Sequence, residues 1–140
     1  MLSNWSGVLR HLHERYPALR HDAHAIRFDV PTASTPQPIV VLRSEVCGLP
    51  SATIVAMVCI ESALLHRSAL QLGSHLLAGA LVLRDGVYLF RYTVPVAALT
   101  AASLDAAIAL ASSHATQIRA SSHGASSPLL VNVEAFATAL

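Results

Sequence analysis

The chain has 140 residues, of which 54% are apolar and only 12% charged, with a formal net charge of +1. That length suits one domain with a real core, and so few charges leave apolar groups at the surface, which predicts an oligomer interface or a partner-binding face. There is no lysine and the nine arginines are scattered, so nucleic-acid binding has no basic stripe to rest on; the charge-free runs at 46–60 and 68–83 are shorter than the ~20 residues that span a bilayer, so no membrane insertion is expected.

Leu2, Trp5, Val8, Leu9, Leu12 and Tyr16 recur at helical spacing. They predict an amphipathic helix with Ser3 as N-cap, ended by Pro17. No signal-peptide pattern precedes it, and the reading is cytoplasmic. Ile26, Phe28 and Val30 alternate with Arg27 and Asp29, the pattern of a half-buried strand. Pro31, Pro36 and Pro38 make a loop. A second strand is expected over 39–46, then a turn over 48–51. The run ATIVAMVCI over 52–60 reads as a central strand buried on both faces.

The period changes over 61–75. Leu64, Leu65, Ala69 and Leu72 make a helical stripe, with Gly73 as a stop. The stretch 76–100, LLAGALVLRDGVYLFRYTVPVAALT, then carries the strongest local signal in the chain. Asp85-Gly86 between two apolar runs predicts a hairpin, because its turn needs positive φ. Pro95 falls near a strand end, where a missing N–H is tolerable. Thr100 caps a last helix with Leu104, Ile108, Ala111, Ala115 and Ile118 on its buried side, and Asp105 near its positive end. Residues 121–128 read as a linker, and the apolar tail to Leu140 must dock somewhere.

The expected fold is therefore α+β: an antiparallel sheet with helices packed on it, in the order α-β-β-β-α-β-β-α, plus a C-terminal apolar tail. Residues 1–120 form the domain and 121–140 the linker and docking tail.

Motifs for chemistry are sparse. The eight histidines show no H-E-x-x-H spacing and recruit no cysteine, so no metal is expected. Cys47 and Cys59 read as small core residues. There is no G-x-S-x-G elbow and no Gly-rich phosphate loop. The carboxylates sit mostly beside arginines, as ion pairs on solvated faces do. The chain reads as a non-enzyme with no catalytic residue and no cofactor.

The order of elements, with Asp85-Gly86, Arg91, Pro95, Leu99-Thr100 and Leu104-Asp105, resembles the type III secretion chaperones of the Tir-chaperone class and the YbjN-like proteins that share their fold. The resemblance covers about residues 1–120. It implies a small bacterial homodimer without enzymatic activity that holds an extended N-proximal segment of a secreted effector, as a virulence-associated chaperone. The alternative it allows is a YbjN-like regulatory interaction domain with no secretion role. The effector-binding candidates are Trp5, Leu9, Leu12, Ile26, Phe28 and Val30. The dimer-interface candidates are Leu64, Leu65, Leu72, Leu81, Leu83, Tyr88 and Phe90. Each of these also suits an ordinary core.

Overall fold

A computed structural model describes residues 1–122 of the chain. Helix α1 spans Trp5–Arg15, and its N-cap is Asn4, whose side chain accepts the Gly7 N–H at 2.9 Å. Ser3 cannot serve: it sits at φ +33, away from the extended backbone that an N-cap needs. Val8 and Leu12 are the helix's fully buried side chains.

Six strands follow the expected alternation. They are β1 (Arg20–His21), β2 (Ala25–Val30), β3 (Gln37–Val46), β4 (Leu49–Ile60), β5 (Ala80–Arg84) and β6 (Val87–Pro95). All pair antiparallel, in the spatial order β1-β2-β3-β4-β6-β5. Helix α2 (His66–Gly73) lies between β4 and β5, and α3 (Ala101–Ala120) closes the described chain. The fold is the expected α+β sheet-and-helix arrangement, with the two-residue β1 as an addition. The second unit expected, the linker and tail, falls almost wholly outside the described residues.

Two boundaries moved for local reasons. The helix expected over 61–75 divides into a 3-10 turn at Glu61–Ala63 and α2, because Leu64 and Leu65 adopt extended backbone between them. That geometry lets Leu64 reach the core. The strand expected from 76 begins at Ala80, since Gly79 at φ +77 breaks the extended run before it.

Both tight hairpins use paired positive-φ residues: Asp85 (+49) with Gly86 (+77), and Cys47 (+53) with Gly48 (+75). Cys47 is therefore an exposed turn residue, not the core residue its neighbours suggest; Cys59 is buried. At α3, Thr100 and Ser103 form a reciprocal capping box. Asp105 lies beyond that first turn and ties α3 to α1 instead, receiving His11 Nε2 at 2.8 Å with Arg15 at 3.6 Å.

The sheet is apolar on both faces. Ala52, Ile54, Ala56 and Val58 of β4 join Ile26, Phe28, Ile39, Val41, Tyr88 and Phe90 under α1 and α3. This is the main core, and each fully buried large side chain contributes about 1.5–3 kcal/mol. Val55 and Met57 point the other way, with Ala25, Val40, Val87 and Leu89.

A bulge interrupts the β4–β6 ladder between Met57 and Cys59. The carbonyls it frees are taken by α3: Arg119 Nε donates to Val58 O at 2.7 Å and Nη2 to Met57 O at 2.8 Å. Arg119 Nη2 also donates to Gln37 Oε1 at 2.6 Å, and Gln37 Nε2 donates to Met57 O at 2.8 Å. Gln37 is fully buried and Arg119 partly so. Burial lowers the Arg119 pKa, opposed by the nearby Cys59.

The turn between β1 and β2 is held by one carboxylate. Asp22 accepts the N–H of His24 at 2.8 Å, Arg27 Nη1 at 3.0 Å and the N–H of Ala25 at 3.0 Å. These donors, His24 foremost, lower its pKa from 3.8 to about 2. A lowered folded value means that the turn's support is complete above pH 4 and is lost as pH falls through about 2. The His24 and Ala25 amide shifts should titrate with a midpoint near 2, and Asp22→Asn should abolish that titration. A midpoint near 4 would mean the bonds are not made in solution.

Candidate binding surfaces

Two surface features combine apolar lining with unfinished secondary structure. The first is a cleft of about 360 Å³ between the chain leaving α1 and the outer edge of β2. Tyr16, Pro17, Leu19, Phe28, Pro31 and Ile39 line it. The Tyr16 and Phe28 rings stack with centroids 4.3 Å apart. Arg15, Arg20, Arg27 and Asp29 add charge around it.

The cleft exists because β1 is so short. It pairs β2 only at Arg20↔Arg27 and His21↔Ile26. Residues 28–30 of β2 pair with β3 on one side, and no described strand pairs with them on the other. A short edge with open N–H and C=O groups beside an apolar cleft is where an extended peptide adds as a strand.

Of the six residues expected to bind an effector, Phe28 lines this cleft from the main core, where it is 7% exposed. Leu12 and Ile26 are fully buried in the main core and closed to a partner. Trp5, Leu9 and Val30 are half-buried against that core. The sequence reading missed the stacking of Tyr16 on Phe28 and the place of segment 17–20 in the cleft lining. The available signal was Pro17, which ends the helix and swings the chain across the sheet edge.

The second feature is a groove of about 450 Å³ between α2 and β5. His66, Ala69 and Leu70 line one side, and Leu81, Leu83 and Tyr88 the other. Leu65, Leu70, Leu77 and Leu83 are 63%, 78%, 86% and 43% exposed, a concentration of bare leucine in one part of the fold. Among the residues expected at a dimer interface, Leu65 and Leu83 are exposed, Leu72 and Leu81 half-buried, and Leu64, Tyr88 and Phe90 buried. The groove brings together Leu81, Leu83 and Tyr88; Leu64 and Phe90 belong to the main core.

Tyr88 is 3% exposed, and its hydroxyl has no hydrogen-bond partner among the described residues. Burial raises the pKa of that hydroxyl, with Glu61 and Cys59 adding to the effect. Tyr88→Phe removes the unpaired group and keeps the ring, so stability should hold or rise by up to about 1 kcal/mol. A loss above that in chemical denaturation would reveal a partner for the hydroxyl in solution.

Among the described residues no three His, Cys, Asp or Glu side chains converge. His66 meets Glu61 at 2.9 Å on the surface and stands edge-on to the Tyr88 ring, with centroids 6.3 Å apart. No helix among the described residues is long and apolar enough to cross a membrane. No family model, curated protein or solved structure matches the chain.

Proposed function

We propose that the protein is a small, non-enzymatic, cytoplasmic chaperone that acts as a homodimer and holds an extended N-proximal segment of a type III secreted effector. The carrying observation is the apolar cleft beside the unpaired stretch of β2. An extended segment laid there takes main-chain hydrogen bonds from residues 28–30 and places alternate side chains against Tyr16 and Phe28. Binding of this kind keeps the segment unfolded and needs no catalytic group. The groove between α2 and β5 supplies the dimer face, with Leu70 and Leu83 at its rim.

Coexpression with the proteins of its own cell is the test. A secreted protein should copurify, with an extended segment near its N-terminus protected from protease. Capture of a folded partner with no protected segment would favour the alternative, a YbjN-like interaction domain outside secretion. The dimer has its own test. Leu70→Arg combined with Leu83→Arg should halve the mass seen by light scattering while leaving the circular dichroism spectrum unchanged. A parent chain that is already monomeric at high concentration overturns the dimer.

A further inference from the structure

The two edges of the sheet are built differently. At one end β1 is two residues long, Arg20 and His21, and a short polar strand blunts an edge against further pairing. At the other end β5 runs ALVLR, with no proline and no bulge, and its one charged residue, Arg84, stands at its end. The Asp85-Gly86 turn decides which backbone groups of β5 are free. The residues flanking a two-residue turn bond to each other, here Arg84 with Val87. Alternation along the ladder then turns the N–H and C=O of Val82 toward β6 and those of Leu81 and Leu83 outward. No backbone group of the described residues bonds to them there. The side chains of Leu81 and Leu83 line the α2–β5 groove, so the open edge and the groove are one surface.

We infer that β5 pairs antiparallel with β5 of a second copy, about a two-fold axis at Val82, and joins the two sheets into one. The inference rests on the homodimer proposed above and says how its halves meet. Three observations favour a copy of this chain as the occupant. The register closes: with Val82 opposite Val82, Leu81 of each chain falls opposite Leu83 of the other, and the outward N–H and C=O groups of both leucines are bonded in both chains. The charges allow it. Two identical faces must not repel, and residues 68–83 contain no Asp, Glu, Lys or Arg; Arg84 falls opposite Ala80 instead of its own counterpart, so no like charges are opposed. The bare leucines need more than a strand. Leu65, Leu70 and Leu77 lie outside β5 and are 63%, 78% and 86% exposed. A lone extended peptide takes the edge bonds but brings no second surface for them, whereas a copy brings its own α2. In the joined sheet the clefts beside β2 lie at the two far ends.

Disulfide trapping in the full chain reads this register. Cys47→Ser removes the exposed native thiol, and Cys59 is buried. In that background Val82→Cys should be trapped as a covalent dimer by mild oxidation, because a non-bonded antiparallel pair sets its Cα atoms ~4.5 Å apart, within disulfide reach. Ala80→Cys alone and Arg84→Cys alone should not be trapped, since each lies roughly 14 Å from its counterpart. A mixture of those two variants should be. Light scattering gives the oligomeric state of the native chain independently. A Val82→Cys chain that is dimeric when reduced and yet is not trapped, or an Ala80→Cys chain trapped as readily, overturns the edge pairing and leaves the homodimer standing. A native chain that is monomeric at high concentration overturns both. In the native chain, the Leu81 and Leu83 amides should exchange hydrogen several-fold more slowly in the dimer than after dilution to monomer. Equal exchange in the two states also overturns the edge pairing.

Discussion

Arg119→Ala should destabilise the protein by about 3 kcal/mol, the largest loss expected from removing any one polar side chain here. Its guanidinium donates to two carbonyls freed by the bulge and to the amide oxygen of Gln37. Alanine would leave the Val58 carbonyl and the Gln37 amide oxygen without this donor in an apolar interior, while Met57 O keeps Gln37 Nε2; an unpaired polar group there costs about 1–3 kcal/mol. For a domain of this size the melting temperature should fall by roughly 10 °C. Arg119→Lys should recover only part of the loss, because an ammonium on a flexible stem cannot reproduce the planar fork. Urea unfolding followed by circular dichroism measures both. A loss under about 1 kcal/mol for the alanine variant would mean that water replaces the guanidinium, and that α3 is not fastened to β4 in this way.

Gly79→Ala should cost a similar amount by a different route. Gly79 sits at φ +77, and a Cβ there would stand 2.6 Å from the Arg91 carbonyl oxygen and 2.6 Å from the Phe90 ring. The left-handed backbone alone costs an alanine roughly 1–2 kcal/mol. The clash adds about 1–3 kcal/mol, since either the β5–β6 ladder or the fully buried Phe90 must shift. Gly86→Ala is the internal control. It has nearly the same φ and nothing within 4 Å of the added Cβ, so it should lose only the backbone part. Equal losses at the two positions would remove the steric argument. Because Gly79 also lines the α2–β5 groove, its replacement should weaken any self-association made there.

These two sites differ in how far the sequence announces them. The hairpin at Asp85-Gly86, the alternation in β2 and the Thr100 cap are local devices, and each was legible from a few adjacent residues. So was β4, whose apolar run fits a strand buried on both faces. Arg119 was not legible as a fastener, because its acceptors arise from a register shift some sixty residues earlier in the chain. Cys47 misled because its neighbours are apolar, whereas its backbone conformation is set by the turn. The candidate binding residues suffered from a related ambiguity. An apolar stripe on a helix or a strand looks the same whether it faces a core or a partner, so Leu12 could not be told from Trp5 and Leu9, nor Ile26 from Val30, by spacing. The exposure of Leu70 and Leu77 depends on where the eight-residue α2 settles against β5, which no local pattern states.

The spatial order of the strands also bears on how the chain comes into being. β2, β3 and β4 follow one another both in sequence and in the sheet, so they can pair as soon as they leave the ribosome. β4, however, takes β6 as its other neighbour, and the cap over its freed carbonyls arrives with Arg119, 61 residues after Val58. Loop-closure entropy makes that late closure slow but not costly. During synthesis, which builds the N-terminal part first, the nascent protein carries a twelve-residue strand, apolar on both faces, whose β6 edge stays open until the later chain emerges. A molecule proposed to hold other proteins' extended segments passes, in its own biogenesis, through a stage at which it presents an open strand edge itself.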